Sequence, residues 1–314
     1  MEKRPLHFRE DGTFTIVQFT DLHLSGYPAS DQVRCELMER IMAAEQPDFV
    51  VLTGDIIYSP MCEDPEATFR KAADAVDRVG IPWAAIFGNH DAESGTTKEN
   101  LMAILQAFEN CYSEPGPANI HGVGNFTLPI LQTDNQVAAA MYFMDTGANT
   151  DHPIGGYEWV RRDQIEWYAR QSGKLKADSG MTLPSLMFCH IPLPEFIEMW
   201  DREICYGQRN ERVASARVNS GFFAAMTEQG DVMGVFVGHD HTNDYWGRFH
   251  GIRLCYGRVT GDNEGGKIKR GARVIRLTAG ERDFATWIRE DDGAVIREQL
   301  AHRPEMIGEG FYYR

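Results

Sequence analysis

Stretches of apolar residues alternate with amphipathic stretches along the first third of the chain. The apolar stretches are rich in β-branched and aromatic residues, as buried strands are, and apolar positions recur with helical spacing between them. The predicted elements are a strand at 13–20, a helix at 31–44, a strand at 48–52, a helix at 65–79 and a strand at 82–87. Strands that alternate with helices predict an α/β fold built from parallel βαβ units.

The pattern continues in the second half of the chain, with predicted strands at 136–144, 183–189 and 232–237 and a helix at 159–172. From about residue 268 to residue 300, polar and apolar positions alternate, and Asp291-Asp292-Gly293 is a hairpin turn, so we expect antiparallel strands at the margin of the sheet. The 314 residues are 43% hydrophobic and contain no low-complexity segment. We therefore predict a single domain over residues 1–314.

Short polar clusters stand where the predicted strands end. They are Asp21-Leu22-His23, Gly54-Asp55, Gly88-Asn89-His90-Asp91, His190 and Gly238-His239-Asp240-His241. Because the strands of a parallel sheet end at one edge, these separated clusters are expected to meet there. Aspartate, asparagine and histidine supply oxygen and nitrogen ligands for divalent metals, and paired ions clamp the oxygens of a phosphoryl displacement. The ordered set predicts a two-metal hydrolase.

Each cluster taken alone has a simpler structural explanation. Gly54-Asp55 fits an ordinary turn, and His190 fits a histidine at the end of a strand. Asp21 and His23 are separated by one residue, so both point to one side of an extended segment as a chelating pair must, but a turn after a strand explains them equally well. The histidine of Gly88-Asn89-His90-Asp91 is poorly explained by packing or by a generic turn. All the clusters together, in this order, favour the metal site.

Composition narrows the class of substrate. The formal net charge is -15, from 31 Lys and Arg against 46 Asp and Glu, which disfavours a nucleic-acid partner and favours a small phosphorylated substrate. No apolar window is long enough to cross a membrane, and the first residues lack the apolar region of a secretory signal, so we expect no membrane partner and a cytoplasmic location. The six widely spaced cysteines are expected to be mostly reduced. The oligomeric state is left open.

From Asp21 to His241, the ordered motifs D-x-H, G-D, G-N-H-D, H and G-H-x-H resemble the calcineurin-like metallophosphoesterase superfamily. The resemblance implies a four-layer α/β/β/α sandwich with mixed sheets and a dinuclear metal site at the carboxyl ends of the strands. It implies two divalent or mixed-valence ions of Mn, Fe or Zn, with His90 as general acid or transition-state donor and Asp91 orienting it. The implied ligands are Asp21, His23, Asp55 and His241 for the first ion, and Asp55, Asn89, His190 and His239 for the second.

A finer resemblance is to the purple acid phosphatase-related branch of that superfamily. It rests on four segments, 54–58, 82–94, 190–195 and 218–223. True purple enzymes have D-x-G in the first motif and a tyrosine ligand in G-D-x-x-Y, whereas this chain has His23 and also keeps Tyr58. We expect His23 to be the ligand and Tyr58 to line the pocket, without the ferric-tyrosinate colour.

The function implied by the resemblance is hydrolysis of a phosphate monoester by a hydroxide that bridges the metals. A phosphodiesterase acting on a small diester and a scaffold that binds metal without hydrolysis are the alternatives, and the acidic charge disfavours a nuclease. Candidate substrate contacts are Asn89, His90, Tyr58, Arg217 and Asn219. A solvated loop is the other explanation of the segment that holds Arg217 and Asn219.

Overall fold

The computed structural model describes residues 3–261 and 265–304. The described residues form two β-sheets and six α-helices, and none of these helices is long and apolar enough to span a membrane. The predicted domain of residues 1–314 also includes residues 1–2, 262–264 and 305–314, which lie outside the described part, and the single domain stays a prediction.

The described elements have the following bounds. The strands are β1 Leu6–His7, β2 Thr13–Phe19, β3 Phe49–Thr53, β4 Trp83–Ile86, β5 Phe126–Leu131, β6 Val137–Phe143, β7 Ser185–Phe188, β8 Cys205–Tyr206, β9 Val232–Val237, β10 Trp246–Phe249, β11 Ile252–Tyr256, β12 Gly271–Thr278, β13 Phe284–Glu290, β14 Val295–Ile296 and β15 Ala301–His302. The helices are α1 Pro28–Glu45, α2 Pro65–Asp77, α3 Lys98–Gln106, α4 Arg162–Ser179, α5 Glu195–Arg202 and α6 Phe222–Gln229, with a 3₁₀ turn at Ser59–Met61.

Both sheets are mixed. The six-stranded sheet has the order β14-β13-β12-β2-β3-β4, with β2, β3 and β4 parallel and β12 antiparallel to β2. The nine-stranded sheet has the order β1-β5-β6-β7-β9-β11-β10-β8-β15, in which β6, β7, β9 and β11 are parallel neighbours. The parallel strands of each sheet supply the polar clusters, as the sequence predicts.

Strand β2 shows how the sequence builds the layers. Phe14 and Ile16 face the core shared with the nine-stranded sheet, while Val17 and Phe19 face the core beneath α1 and α2. Successive residues of a strand point to opposite faces, so a continuously apolar strand packs between two layers. Helices α4 and α6 contribute buried residues to the first core, from the outer face of the nine-stranded sheet. The α/β/β/α sandwich implied by the resemblance is confirmed.

The predicted order of elements is confirmed in the first third and in the tail, with differences at the ends. Helix α1 begins at Pro28 rather than at residue 31, because proline is well suited to the first turn of a helix. Helix α4 begins at Arg162 rather than at residue 159, since the residue before it is still extended. The strands expected beyond residue 268 are β12, β13 and β14. The two-residue strands β1, β8 and β15 were not predicted, because they are too short to show a period.

Arg258 lies in a buried ionic cluster that connects the two sheets. Its Nη2 lies 2.5 Å from Asp244 Oδ2 and its Nη1 lies 3.3 Å from Glu290 Oε1. The side chains of Arg258 and Asp244 are each 1% exposed. Asp244 follows the last predicted metal ligand, His241, and Glu290 ends β13. The cluster therefore ties the loop after β9 to the six-stranded sheet.

Arg258→Ala should destabilise the fold by about 3–5 kcal/mol, because it leaves the buried Asp244 carboxylate without its cation. The matched control is Lys174→Ala, which removes an exposed pair with Asp178 and should cost little. Urea unfolding followed by circular dichroism measures both variants. Equal unfolding midpoints for the two would contradict a stabilising role for the cluster.

Candidate metal centre

The predicted ligands meet at one edge of the two sheets. Asp21, Asp55 and Asn89 follow β2, β3 and β4, the parallel strands of the six-stranded sheet. His190 and His239 follow β7 and β9, which are parallel neighbours in the nine-stranded sheet. The carboxyl ends of strands from both sheets thus surround a common point, as the fold class predicts.

Two groups of side chains at this point have the chemistry to hold metal ions. Asp21, His23, Asp55 and His241 form one group and Asp55, His190 and His239 form the other, with the ligand atoms of each group within 4.8 Å of one another. Asp55 belongs to both. Its Oδ2 lies 3.4 Å from His23 Nε2 and 3.3 Å from His190 Nε2. The grouping contains every implied ligand except Asn89, whose amide oxygen belongs to neither group.

Several buried polar atoms at this point have no hydrogen-bond partner among the described residues. They are His23 Nε2, Asp55 Oδ2, Asn89 Oδ1 and His239 Nε2. A buried polar atom left without a partner costs about 1–3 kcal/mol, so such atoms are rare unless something else satisfies them. All four atoms belong to predicted ligands. The two oxygens have lone pairs, and each imidazole nitrogen has one when it carries no proton. The residues therefore fit a pair of bound cations, and the unpaired Asn89 oxygen is compatible with the ligand role that the resemblance implies.

The backbone at the ligands is strained. Asp21, His23, Asp55 and His239 have φ angles of 54°, 49°, 49° and 76°. This left-handed region is uncommon for residues with a side chain, and such strain persists only where the surrounding structure enforces it. Four of the seven non-glycine residues with positive φ in the described part are thus predicted ligands. The strained backbone therefore lies at residues whose side chains turn toward the predicted metal centre.

Glycines in the motifs allow the backbone segments to approach closely. A Cβ atom on Gly88 would lie 2.5 Å from Asp55 N, and one on Gly238 would lie 2.7 Å from Asp21 Oδ2. Both distances are shorter than real Cβ contacts. These two glycines are therefore required for β4 and β9 to deliver their clusters beside the aspartates, a role that goes beyond a generic turn.

Hydrogen bonds and charges orient the central side chains. His190 Nδ1 lies 2.7 Å from the Thr53 carbonyl, so Nδ1 carries the proton and Nε2 points toward Asp55. Although burial opposes charge on both groups, the Asp55 carboxylate raises the pKa of His190 to about 9, and His190 holds the pKa of Asp55 well below its usual range. Burial, followed by repulsion from His190, lowers the pKa of His239 to about 3.

The expected role of Asp91 is corrected by its hydrogen bonds. Its Oδ1 accepts the N–H of Ile57 at 3.0 Å and its Oδ2 accepts the N–H of Gly88 at 2.7 Å, so the carboxylate is turned back into the loops rather than toward His90. Burial and the charge of Asp55 raise its pKa. Asp91 thus braces the ends of β3 and β4, which carry Asp55 and Asn89.

The carboxylate beside His90 is that of Glu93. His90 Nδ1 lies 2.5 Å from Glu93 Oε2. Ser59 holds the turn between them, because its Oγ donates to the His90 carbonyl at 2.6 Å and accepts the N–H groups of Glu93 and Ser94 at 3.1 Å. Sequence reasoning missed both residues, although Glu93 lies in the segment that carries the finer resemblance.

A cavity of about 440 Å³ opens over the first group of ligands. It is lined by His23, Ser25, Arg34, Tyr58, Met61, His90 and His241. The Tyr58 ring lies 4.8 Å from the His90 ring in an edge-to-face arrangement and 5.8 Å from the His23 ring, measured between centroids. Tyr58 thus lines the pocket as expected, beside the imidazole that Glu93 contacts.

Arg217 and Asn219 lie away from this cavity. Arg217 Nη1 donates to the Ile154 carbonyl at 2.5 Å. Asn219 donates to Glu195 Oε1 at 2.8 Å and accepts the N–H of Gly221 at 3.0 Å. The candidate substrate contacts therefore fall into two places, with Tyr58, Asn89 and His90 at the metal centre and the other two in a neighbouring cavity.

Tyr157 is a further residue that the sequence did not reveal. Its ring lies 4.5 Å from the His239 ring, nearly perpendicular to it. The loop before α4 brings it there, and no motif surrounds it in the sequence. Tyr157 thus contacts the second group of ligands, and it lines a different cavity from the one that Tyr58 lines.

Comparison with known proteins assigns the chain to a family. The sequence model of the calcineurin-like phosphoesterases matches residues 14–243. The chain belongs to the calcineurin-like phosphoesterase family. Among known structures, a dimetal phosphatase from Danio rerio superposes on this calcineurin-like phosphoesterase with a TM-score of 0.57 at 12% identity, covering 87% of this chain and 98% of that one, which shows a shared fold.

Two relatives bear on the finer resemblance. The chain is 33% identical over 319 residues to an Arabidopsis thaliana protein named "Probable inactive purple acid phosphatase 29", covering 91% of this chain and 82% of that protein. It is 30% identical over 318 residues to "Phosphatase DCR2" of Saccharomyces cerevisiae, covering 89% of this chain and 54% of that protein. The predicted superfamily and its purple acid phosphatase-related branch are confirmed.

Asp55→Asn should abolish stoichiometric binding of both ions, because Asp55 is the carboxylate shared by the two groups. Metal content per chain is measured by mass spectrometry after loading with Mn²⁺ or Zn²⁺ and gel filtration. The matched control is Asp145→Asn, which alters a buried aspartate that pairs with Lys98 at 2.7 Å and belongs to neither group. Retention of two ions by Asp55→Asn would refute the shared ligand.

His23→Ala should weaken metal binding strongly, because it removes a donor from the first group, whereas Tyr58→Phe should cost at most about 10- to 100-fold in affinity or activity. The iron-loaded, oxidised protein should lack a tyrosinate charge-transfer band. Visible absorption spectra and metal titrations of both variants test this. A purple protein whose colour vanishes in Tyr58→Phe, with His23→Ala nearly silent, would make Tyr58 the ligand.

Proposed function

We propose that this calcineurin-like phosphoesterase is an active metal-dependent hydrolase of phosphate monoesters. The observation that carries the proposal is the convergence of unpaired buried donor atoms from His23, Asp55, Asn89 and His239 on one point. Two divalent or mixed-valence ions of Mn, Fe or Zn, held by the seven predicted ligands, would supply the charge that activates water and neutralises phosphoryl oxygens. Such a donor set suits these metals.

His90 is proposed as the proton donor to the leaving oxygen. Its ring lines the cavity over the first group, and its Nδ1 is engaged by Glu93, which leaves Nε2 as the nitrogen that can reach a substrate. A carboxylate on one imidazole nitrogen fixes the ring and the tautomer that the other nitrogen presents. Glu93 is thus a positioning residue in this proposal. The Asn89 amide and the Tyr58 ring complete the surroundings of the phosphate.

The names of two relatives set the alternatives. The name of the Arabidopsis relative, which calls it inactive, supports a scaffold that binds metal without hydrolysis. The yeast relative is named a phosphatase, which supports hydrolysis. Hydrolysis is supported by the presence of His90 in this chain and by the clustering of the Asp and His side chains in two groups that share Asp55. A small phosphodiester remains the alternative substrate class. A small phosphorylated substrate in the cytoplasm, with neither nucleic acid nor membrane as partner, is proposed from the acidic composition.

A panel of monoesters, small diesters and oligonucleotides, assayed with protein loaded with Mn²⁺, Zn²⁺ or Fe²⁺, tests the function. We expect turnover of monoesters, and we expect Asp55→Asn to remove it. His90→Asn should keep both ions but lower kcat by about 100-fold or more on an alkyl phosphate, whose leaving group needs a proton. The loss should be smaller on p-nitrophenyl phosphate, whose leaving group does not.

Glu93 variants separate orientation from folding in the same assay. Glu93→Ala should lower kcat on the alkyl phosphate by about 10-fold with little change in KM, and Glu93→Gln, which keeps a hydrogen-bond acceptor, should restore part of that loss. Fully metal-loaded wild-type protein that hydrolyses none of the panel would favour the scaffold. Equal losses for both leaving groups in His90→Asn would refute its role as proton donor.

A further inference from the structure

A second cavity, of about 640 Å³, lies beside the metal centre and differs from the first in its chemistry. Its walls are the loop at residues 156–157, the apolar side chains of Pro194 and Ile197, and the segment 212–219. Two arginines, Arg212 and Arg217, are among the residues that line it. We call this space the arginine cavity.

Tyr157 separates the arginine cavity from the metal centre. The residue lines the cavity, and its ring also lies edge-on against His239, 4.5 Å between centroids. The Tyr157 side chain therefore lies between the arginine cavity and the His239 ring. A compound whose phosphate lies at the predicted metal ligands would have to pass Tyr157 to place a second group in the arginine cavity.

The two arginines are exposed side chains that form no ion pair with a carboxylate among the described residues. Arg209, earlier in the same segment, pairs with Asp201, but neither Arg212 nor Arg217 has an ion pair in the described part of the chain. Arg217 is held in place by its bond to the Ile154 carbonyl and lies along glycines 155 and 156, where a Cβ atom would come within 3.6 Å of its guanidinium.

The carboxylates nearest the cavity accept hydrogen bonds from neutral groups, and one of them, Asp240, accepts the N–H of the lining residue Ala214 at 3.3 Å. Glu195 accepts the side-chain N–H of Asn219 at 2.8 Å, and Glu211 accepts the hydroxyl of Thr242 at 2.9 Å. In a chain of net charge -15, this cavity brings two arginines together with no carboxylate residue among those that line it. Guanidinium groups bind carboxylates and phosphates through paired hydrogen bonds, and clefts of one charge concentrate ligands of the opposite charge.

We propose that the arginine cavity binds a second anionic group of the substrate, so that the preferred substrates are phosphomonoesters carrying a further carboxylate or phosphate. This inference rests on the proposed phosphoesterase function and narrows its substrate class. Arg212 and Arg217 would contribute to binding and selectivity, while the chemistry stays with the metal ligands and His90.

The test compares substrates that share a phosphorylated carbon and differ in the second group. Glycerol 2-phosphate carries a hydroxyl, glycerate 2-phosphate a carboxylate, and glycerate 2,3-bisphosphate a carboxylate and a phosphate. The metal-loaded wild type should prefer an anionic compound by about 10-fold in kcat/KM, as expected for hydrogen bonds to a charged group. Which compound gains most distinguishes a carboxylate from a phosphate. The preference should shrink as salt is raised, because exposed charges are screened.

The variant with both Arg212→Gln and Arg217→Gln should lose this preference while hydrolysing p-nitrophenyl phosphate within about twofold of the wild-type rate, since that compound has no second anion. Arg170→Gln, on the exposed face of α4 and outside the cavity, is the matched control and should keep the preference. Calorimetric binding of the same compounds to the metal-free protein gives a readout independent of turnover.

The outcomes separate this inference from the proposed function. Wild-type turnover of p-nitrophenyl phosphate without a preference for the anionic compounds overturns the arginine cavity and leaves the phosphoesterase intact. A preference that survives the double variant also overturns it. A protein that hydrolyses no phosphoester overturns the proposed function. Calorimetry then decides whether the arginines bind the second anion. Binding to the wild type that is lost in the double variant supports the arginine cavity, and unchanged binding refutes it.

Discussion

The carboxylate of Asp55 lies where the ends of strands from the two sheets meet. Its Oδ2 lies 3.4 Å from an imidazole that follows β2 in one sheet and 3.3 Å from an imidazole that follows β7 in the other. A shift of either sheet by one residue would move these rings away, because neighbouring residues of a strand face opposite sides. The strained backbones at Asp21 and His239 and the absent side chains at Gly88 and Gly238 are consequences of this one approach.

The same approach makes the metal-free centre energetically unfavourable. His190 takes a proton to balance Asp55, while His239, buried beside it, is held neutral. Donor atoms on His23 and Asn89 stay unpaired. The fold must therefore be stabilised elsewhere, by two apolar cores and by the Arg258 cluster behind the loop after β9. Cations that satisfy these atoms would add binding free energy to folding free energy.

The sequence predicts which side chains cluster at the ends of the strands better than it predicts the neighbours of those side chains, for a physical reason. Ligands stand at the ends of strands, where apolar runs mark the edge and parallel topology brings them together. The partner of His90 depends on how a tight turn folds: the adjacent Asp91 turns into the loops, and Glu93, three residues on, reaches the ring. Tyr157 comes from a loop without any motif. Spacing along the chain carries no information on such contacts.

Strand β12 is synthesised late, yet it pairs with β2, the strand that leads to Asp21. It is paired with β2 in the six-stranded sheet, Arg273 opposite Gln18, although more than 250 residues separate them. Just before it, Thr260 and Gly261 donate to the carbonyls of Thr20 and Asp21 at 2.9 and 3.1 Å. The backbone at Asp21 therefore gains these contacts only after this late segment has been synthesised. Until then β2 presents an open edge, which nascent chains of this length must keep from pairing with one another.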